Sequence, residues 1–219
     1  EGEKFSGRGV GRYDLYSFPL YPEARPDEMS LKSGKAMDRD SQAIKGAQID
    51  ITIVETNEKV KALVDSASGE FMFAINSKKH AEVVISVKRD GLAYSSAVVN
   101  VQDPIKASAT KPVVITMDSA HVGSSFVIND IYYNSNSAEL KEESKKVLQS
   151  FAEYLKENPK MIIEIQGHTD NVGSATANQA LSSNRAFTVK ATLEGFGIDG
   201  DRIKAKGFGP SKPIAENSS

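Results

Sequence analysis

The sequence predicts a multidomain chain in which an all-β sandwich is followed by an α/β domain. Short apolar runs, separated by turns that contain glycine, recur from residue 31 to about residue 117, as they do in sandwich strands. Two longer stretches with helical periodicity follow, and each leads to a short β-branched run. A chain of 219 residues is long enough to build one or two such domains.

Residues 1–30 are predicted to be the end of a preceding unit and a linker. A glycine-rich turn at residues 7–11 leads into an alternating aromatic strand that reaches Phe18. One segment of this kind cannot bury its apolar face alone. Pro19, Pro22 and Pro26 then mark the linker.

Residues 31–118 are predicted to form a small antiparallel sandwich. Their alternation of apolar and polar residues is typical of strands with one face on a core. His80 is not grouped with carboxylates at metal-binding spacing, so we expect a spacer or a protein-docking surface here rather than a catalytic site. The apolar runs are residues 47–53, 71–75 and 83–87, and the turns contain Gly34, Gly46, Gly69 and Gly91.

Residues 119–219 are predicted to form an α/β domain. The residue pattern indicates a strand at residues 161–166 and helices at about 137–158 and 174–194. The first helix has one apolar face opposite lysines and glutamates, which favours packing on a core. That face carries Leu140, Val147, Leu148, Phe151 and Leu155.

The turn between the second strand and the second helix holds the most informative residues. Asp170 lies in this turn, and Arg185 lies on the helix, within an apolar stripe of Leu181, Val189 and Leu193. Asn178 precedes Arg185 by seven positions and so points in nearly the same direction. A buried guanidinium needs a partner, and Asp170 is the expected one. A fixed anion beside a fixed cation suits the binding of a zwitterion.

A purely structural interpretation competes with this one. Asp170 could order the turn or cap the helix through backbone N–H groups, and Arg185 could pair with it for structural reasons alone.

The stretch from Phe126 to Ile214 resembles the OmpA-like peptidoglycan-binding domain. The resemblance implies the order βαβαβ, with a first strand at residues 126–133 and a last strand, followed by a loop, within residues 202–209. The most specific motifs are GHTDNVG at residues 167–173 and NQALSSNRA at residues 178–186. The resemblance implies that Asp170 and Arg185 hold the free amino-acid end of meso-diaminopimelate in the peptidoglycan stem peptide. It also implies polar ligand contacts or loop-lining positions for Asn136, Asn178, Thr169 and Val172.

Three features modify this expectation. Asn136, followed three residues later by Glu139, also fits a pairing at a helix start, so a capping role competes with its ligand role. Asn134 stands where the family usually carries an acidic residue or phenylalanine. The sequence ends before the last family motif, so we expect a truncated domain that an export signal once preceded.

Further resemblances concern the other parts of the chain. The pieces at residues 33–36, 44–47 and 68–71 resemble the carboxypeptidase-regulatory-like domain, which is a non-catalytic sandwich. Residues 7–18 resemble the last blade segment of a β-propeller. The three-part order is similar to the peptidoglycan-anchoring subunit of type IX secretion machinery. This implies a periplasmic protein associated with the outer membrane and cell wall, with secretion-complex proteins as partners.

Composition narrows the remaining function classes. There are no cysteines, so disulfides and thiolate metal sites are excluded. A net charge of -2 gives no reason to expect nucleic acid, and no apolar run is long enough to span a membrane. We expect no enzyme, cofactor or metal. The alternatives are a scaffold that uses the fold without binding the wall, and a metal-dependent hydrolase that uses Glu164, His168 and Asp170.

Overall fold

The computed structural model describes residues 29–76, 78–102, 112–135 and 137–211. The expectations for residues 1–28, Asn136 and residues 212–219 lie outside this part of the chain. The elements, in chain order, are β1 Met29–Met37, β2 Gln48–Ile53, β3 Lys59–Val60, β4 Leu63–Asp65, β5 Glu70–Asn76, β6 Glu82–Lys88, β7 Ser95–Asn100, β8 Val113–Thr116, α1 Glu142–Glu157, β9 Ile163–Gly167, α2 Ala175–Gly195 and β10 Ile203–Gly207.

The first eight strands form two four-stranded sheets that share one core. The strand orders are β4-β5-β1-β8 and β3-β2-β6-β7. Phe71 and Phe73 from the first sheet pack with Ile51, Ile85 and other side chains from the second. One pair differs from the antiparallel prediction, because β1 and β8 are parallel. Parallel neighbours need a long connection, and here strands β2 to β7 intervene between them.

The C-terminal part contains α1, β9, α2 and β10. Strands β9 and β10 are parallel, with Ile203 opposite Ile163. The predicted apolar face of the first helix is confirmed, since all five of its residues are buried, although Leu140 precedes the observed start of α1. On α2 the buried line differs from the predicted stripe, because Leu181 is only half-buried. The buried positions of α2 are Asn178, Ser182, Ala186, Val189 and Leu193.

The strand predicted at residues 126–133 is not formed. Exposed and half-buried residues do alternate there, but Asp130 has a φ of 62°, which interrupts an extended strand. Its carboxylate accepts a hydrogen bond from the backbone N–H of Val98 at 2.7 Å, and the N–H of Tyr132 donates to Ser144 Oγ at 2.7 Å. Ser144 therefore satisfies the N–H of Tyr132 in place of a ladder, and the Asp130 side chain bonds to the backbone of β7. The described order is αβαβ, not βαβαβ.

The sandwich and the C-terminal part share a buried junction. Tyr94, which precedes β7, is 1% exposed and belongs to the core around α1. Its hydroxyl donates to the carbonyl of Val147 on α1 at 3.3 Å. Lys88 on β6 pairs with Glu157 at 3.1 Å and with Asp50 at 3.3 Å. One residue from before the predicted boundary near residue 118, Tyr94, therefore packs in the core of the C-terminal part.

Two glycines let α2 lie directly against the β9–β10 sheet. A Cβ at Gly167 would lie 2.2 Å from the carbonyl oxygen of Ser182, and one at Gly207 would lie 2.3 Å from the amide nitrogen of Ser183. These are backbone atoms that cannot move independently of the helix. The start of α2, and the turn before it, are thus held close to the carboxyl ends of both strands. No helix in the described ranges has the length and apolarity that a membrane crossing requires.

Replacing Gly167 with alanine is expected to destabilise the protein by about 1 to 3 kcal/mol, as overpacking does. The matched control is Gly195→Ala at the end of α2, where a new Cβ meets nothing within 4 Å. That change should be neutral or stabilise by roughly 0.5 to 1 kcal/mol, because glycine loses more backbone entropy on folding. Urea denaturation measures both. Equal midpoints for the two variants would contradict the close approach of α2.

Candidate functional site

The candidate site lies in the loop that follows β9. Hydrogen bonds join this loop to the loop that follows β10. The N–H of Thr169 donates to the carbonyl of Gly209 at 3.1 Å, and the N–H of Phe208 donates to the carbonyl of Gly167 at 2.8 Å. Ser182 Oγ on α2 accepts from the N–H of Gly209 at 2.9 Å. Both loops are therefore fixed to each other and to the helix.

Asp170 is exposed at the tip of this turn. Its Oδ1 accepts from the N–H of Val172 at 3.2 Å, as in an Asx turn. Asn178, which is 8% exposed, donates from Nδ2 to the carbonyl of Val172 at 2.9 Å and to that of Asp170 at 3.3 Å. Asn178 thus anchors the turn with its amide donors. Only its Oδ1 is left for the predicted ligand contact.

Arg185 does not pair with Asp170, which corrects the prediction. Among the described residues it has no ion pair with any acid. Its Cζ lies 4.7 Å from the centroid of the Tyr133 ring, and its Nε donates to the carbonyl of Ser137 at 3.2 Å. Arg185 as a residue is half-buried. An aromatic face and a carbonyl oxygen attract a cation without neutralising it, so its charge stays available.

Tyr133 contacts Arg185 at two places. Its ring lies against the guanidinium. Its hydroxyl donates a long hydrogen bond, of 3.4 Å, to the backbone carbonyl of Arg185. Burial raises the pKa of Tyr133 to about 12, and the positive charge of Arg185 acts in the opposite direction. The phenol is therefore protonated at neutral pH and remains a donor.

The other predicted site residues differ in their surroundings. Thr169 Oγ1 is buried and has no hydrogen-bond partner among the described residues, and Val172 is 71% exposed. Asn136 lies outside the described ranges, so its ligand role stays a prediction. Tyr133 and Ser137 were missed as contacts of Arg185, because they are about fifty residues away in sequence and no local pattern points to them.

Two clefts of about 190 and 590 Å³ lie in the described part of the chain, and neither is lined by Asp170 or Arg185. Two residues of the hydrolase alternative contact other side chains. Glu164 accepts a hydrogen bond from Gln166 at 2.8 Å, and the ring of His168 stacks on that of Phe208 at a centroid distance of 5.5 Å. Within the described ranges, no group of three or more histidines and acids is placed to hold a metal ion.

Comparison with known proteins identifies the C-terminal part. The model of the OmpA family matches residues 132–219. Probable lipoprotein YiaD of Escherichia coli is 40% identical over 90 residues, which are 41% of this chain and 41% of that protein. Outer membrane porin F of Pseudomonas aeruginosa is 34% identical over 90 residues, which are 41% of this chain and 26% of that protein. The chain thus spans about two fifths or less of these relatives.

One solved structure is also similar in this region. The peptidoglycan-associated lipoprotein from Burkholderia pseudomallei is 32% identical, and the match covers 41% of this chain and 75% of that chain with a TM-score of 0.38. The family model covers both the turn with Asp170 and the helix with Arg185. The C-terminal part of this chain is therefore an OmpA-like domain.

Proposed function

We propose that this protein binds peptidoglycan without catalysis, by holding the zwitterionic end of meso-diaminopimelate between Asp170 and Arg185. The observation that carries the proposal is the guanidinium of the half-buried residue Arg185, which no described acid neutralises. A cation held in this way is suited to an external carboxylate. The motifs shared with OmpA-like domains, among them a peptidoglycan-associated lipoprotein, support the same ligand.

The ligand chemistry fits the two side chains. The distal carbon of diaminopimelate carries an ammonium and a carboxylate. A guanidinium binds a carboxylate through two parallel hydrogen bonds, and a carboxylate such as Asp170 accepts from an ammonium. The buried hydroxyl of Thr169, which has no described partner, lies one residue from Asp170 and offers a further polar contact.

The proposed site should distinguish diaminopimelate stems from lysine stems. A lysine stem has hydrogen in place of the second carboxylate and would leave Arg185 without an anion. Since a hydrogen bond to a charged group contributes roughly 1.5 to 3 kcal/mol, loss of a bidentate pair should weaken binding on the order of a hundredfold.

Calorimetry with the two stem tripeptides tests this selectivity, and sedimentation with purified diaminopimelate-type sacculi tests wall binding. We expect the protein to sediment with the sacculi, and we expect free diaminopimelate to compete where lysine does not. Amidation of the distal carboxylate should weaken binding for the same reason. Equal affinity for both stems would mean that Asp170 and Arg185 serve the turn and not the ligand.

A wall-binding domain joined to a sandwich suits a tether. We propose that the protein acts in the periplasm, where it anchors a complex associated with the outer membrane to the cell wall. The similarity to the type IX secretion subunit, with a carboxypeptidase-regulatory-like sandwich, makes secretion-complex proteins the proposed partners. Names such as lipoprotein and outer membrane porin among the relatives agree with an envelope location.

The alternative function is a scaffold of an envelope complex that does not bind the wall directly. The outer face of the β4-β5-β1-β8 sheet favours protein docking, because cross-strand partners place several exposed apolar side chains together there. They are Met29, Leu31, Leu63, Met72 and Val114. Failure of isolated sacculi to retain the protein would favour this alternative.

A further inference from the structure

We propose that Tyr133 is a positioning residue that holds the Arg185 guanidinium in the orientation in which it meets the ligand; this inference rests on the proposed function. An arginine side chain has several rotatable bonds, so an unrestrained guanidinium would sample many orientations before it met a carboxylate. Here the Tyr133 ring lies 4.7 Å from Cζ, and the carbonyl of Ser137 accepts from Nε at 3.2 Å. One contact covers a face of the guanidinium, and the other occupies an edge.

The occupied edge decides how a carboxylate can approach. A guanidinium offers two bidentate edges, one formed by Nε with a terminal nitrogen and one formed by the two terminal nitrogens. Because Ser137 takes the N–H of Nε, the first edge is closed. A carboxylate must therefore bind end-on, to Nη1 and Nη2 of Arg185. The tyrosine ring keeps the plane of those donors fixed.

A closed loop brings both contacts to the arginine. Tyr133 and Leu140 form an isolated β-bridge. Inside that bridge the N–H of Asn134 donates to the carbonyl of Glu139 at 2.9 Å, and Asn134 Nδ2 donates to the Glu139 carboxylate at 2.9 Å. The N–H of Ser137 also donates to the carbonyl of Asn134 at 3.1 Å, so these hydrogen bonds hold Tyr133 and Ser137 near each other. They orient Arg185 before any ligand arrives.

The neighbouring tyrosine supplies a matched control. Tyr132 is 48% exposed, and its hydroxyl donates to Asp130 at 2.7 Å. Its ring contacts Lys141 at 6.0 Å and not Arg185. Tyr132→Leu and Tyr133→Leu therefore each remove a phenol ring at adjacent positions. Only Tyr133→Leu removes a ring that contacts the Arg185 guanidinium. Tyr133→Phe keeps the ring and removes the long hydroxyl contact.

Calorimetry of these variants with diaminopimelate and lysine stem tripeptides tests the inference. Tyr133→Leu should weaken binding of the diaminopimelate peptide about tenfold, the size expected for a partly desolvated cation–π contact, and should weaken the lysine peptide less. Tyr133→Phe should stay within about twofold of the natural protein, since the ring is the part that positions. Tyr132→Leu should bind as the natural protein does.

The outcomes separate the two proposals. If the natural protein binds, Arg185→Ala does not, and Tyr133→Leu binds unchanged, the positioning role is overturned while the proposed function stands. An equal loss of both peptides in Tyr133→Leu, or a matching loss in Tyr132→Leu, would also overturn it, because that is the signature of a general structural effect. If the natural protein binds neither peptide, the proposed function itself fails.

Discussion

Replacing Arg185 with alanine is expected to abolish measurable binding of diaminopimelate-type stem peptides while the fold stays intact. The lost guanidinium would have formed a bidentate, charge-assisted pair, so the cost should be about 3 to 5 kcal/mol, which exceeds a hundredfold in affinity. The fold should survive, because the described contacts of the Arg185 side chain are one carbonyl and one aromatic ring. No described carboxylate forms an ion pair with Arg185, so its loss leaves no buried acid unpaired. Calorimetry and sacculus sedimentation measure the loss.

Asp170 requires a more conservative change, because its carboxylate also accepts from the N–H of Val172. Asp170→Asn keeps an acceptor for that turn and removes the charge, so a loss of binding in this variant reports on the ligand and not on the loop. Lys190→Ala is the matched control for Arg185→Ala, since Lys190 is a cation on the same helix that contacts Gly200 and Glu194. Retained binding in both site variants would refute the site.

Replacing Tyr94 with alanine is expected to lower the free energy of unfolding by about 3 to 5 kcal/mol, the usual cost of removing a large buried aromatic side chain. Tyr94 is 1% exposed and lies 5.2 Å from the Phe151 ring and 5.8 Å from the Tyr154 ring. Tyr94→Phe is the control. It loses only the hydrogen bond to Val147, which is worth roughly 0.5 to 1.5 kcal/mol. Urea denaturation measures both variants.

The position of Tyr94 makes this variant diagnostic. The residue belongs to the sandwich in sequence but packs in the core of the C-terminal part. We therefore expect Tyr94→Ala to destabilise the OmpA-like domain. The fluorescence or the chemical shifts of residues within that domain would report its unfolding. A fragment that starts near residue 119 should likewise be less stable than the same residues in the whole chain. An unchanged OmpA-like domain in Tyr94→Ala would show that the junction is not part of its core.

The local elements of the OmpA-like domain could be predicted from the sequence. The second helix was expected at residues 174–194 and lies at Ala175–Gly195, because its periodicity and its flanking residues are strong local signals. The strand that the family resemblance implied at residues 126–133 is wrong for a physical reason. A resemblance between short motifs does not report local backbone geometry, and Asp130 has a φ of 62°, which interrupts an extended strand.

The long-range contacts of the site could not be predicted in the same way. From the sequence we expected a carboxylate partner for Arg185, since buried cations usually pair with carboxylates. The structure uses the ring of Tyr133 and the carbonyl of Ser137, and both come from a loop that precedes α1. Asn178 was expected to face the ligand, but its donors point to the turn that it stabilises. Each of these contacts depends on how distant segments pack.

The buried junction between β6 and α1 has a mechanical consequence for a tether. When a partner pulls on the sandwich while the wall holds the turn at Asp170, the load passes through this junction as well as through the covalent connection. Lys88 is 6% exposed and is held by Asp50 on its own sheet and by Glu157 on α1. Tyr154 adds a hydrogen bond from α1 to the carbonyl of Leu92 at 3.1 Å. Tension would therefore act on a packed interface, which yields over a short distance and then fails abruptly, and not on a slack linker that extends gradually.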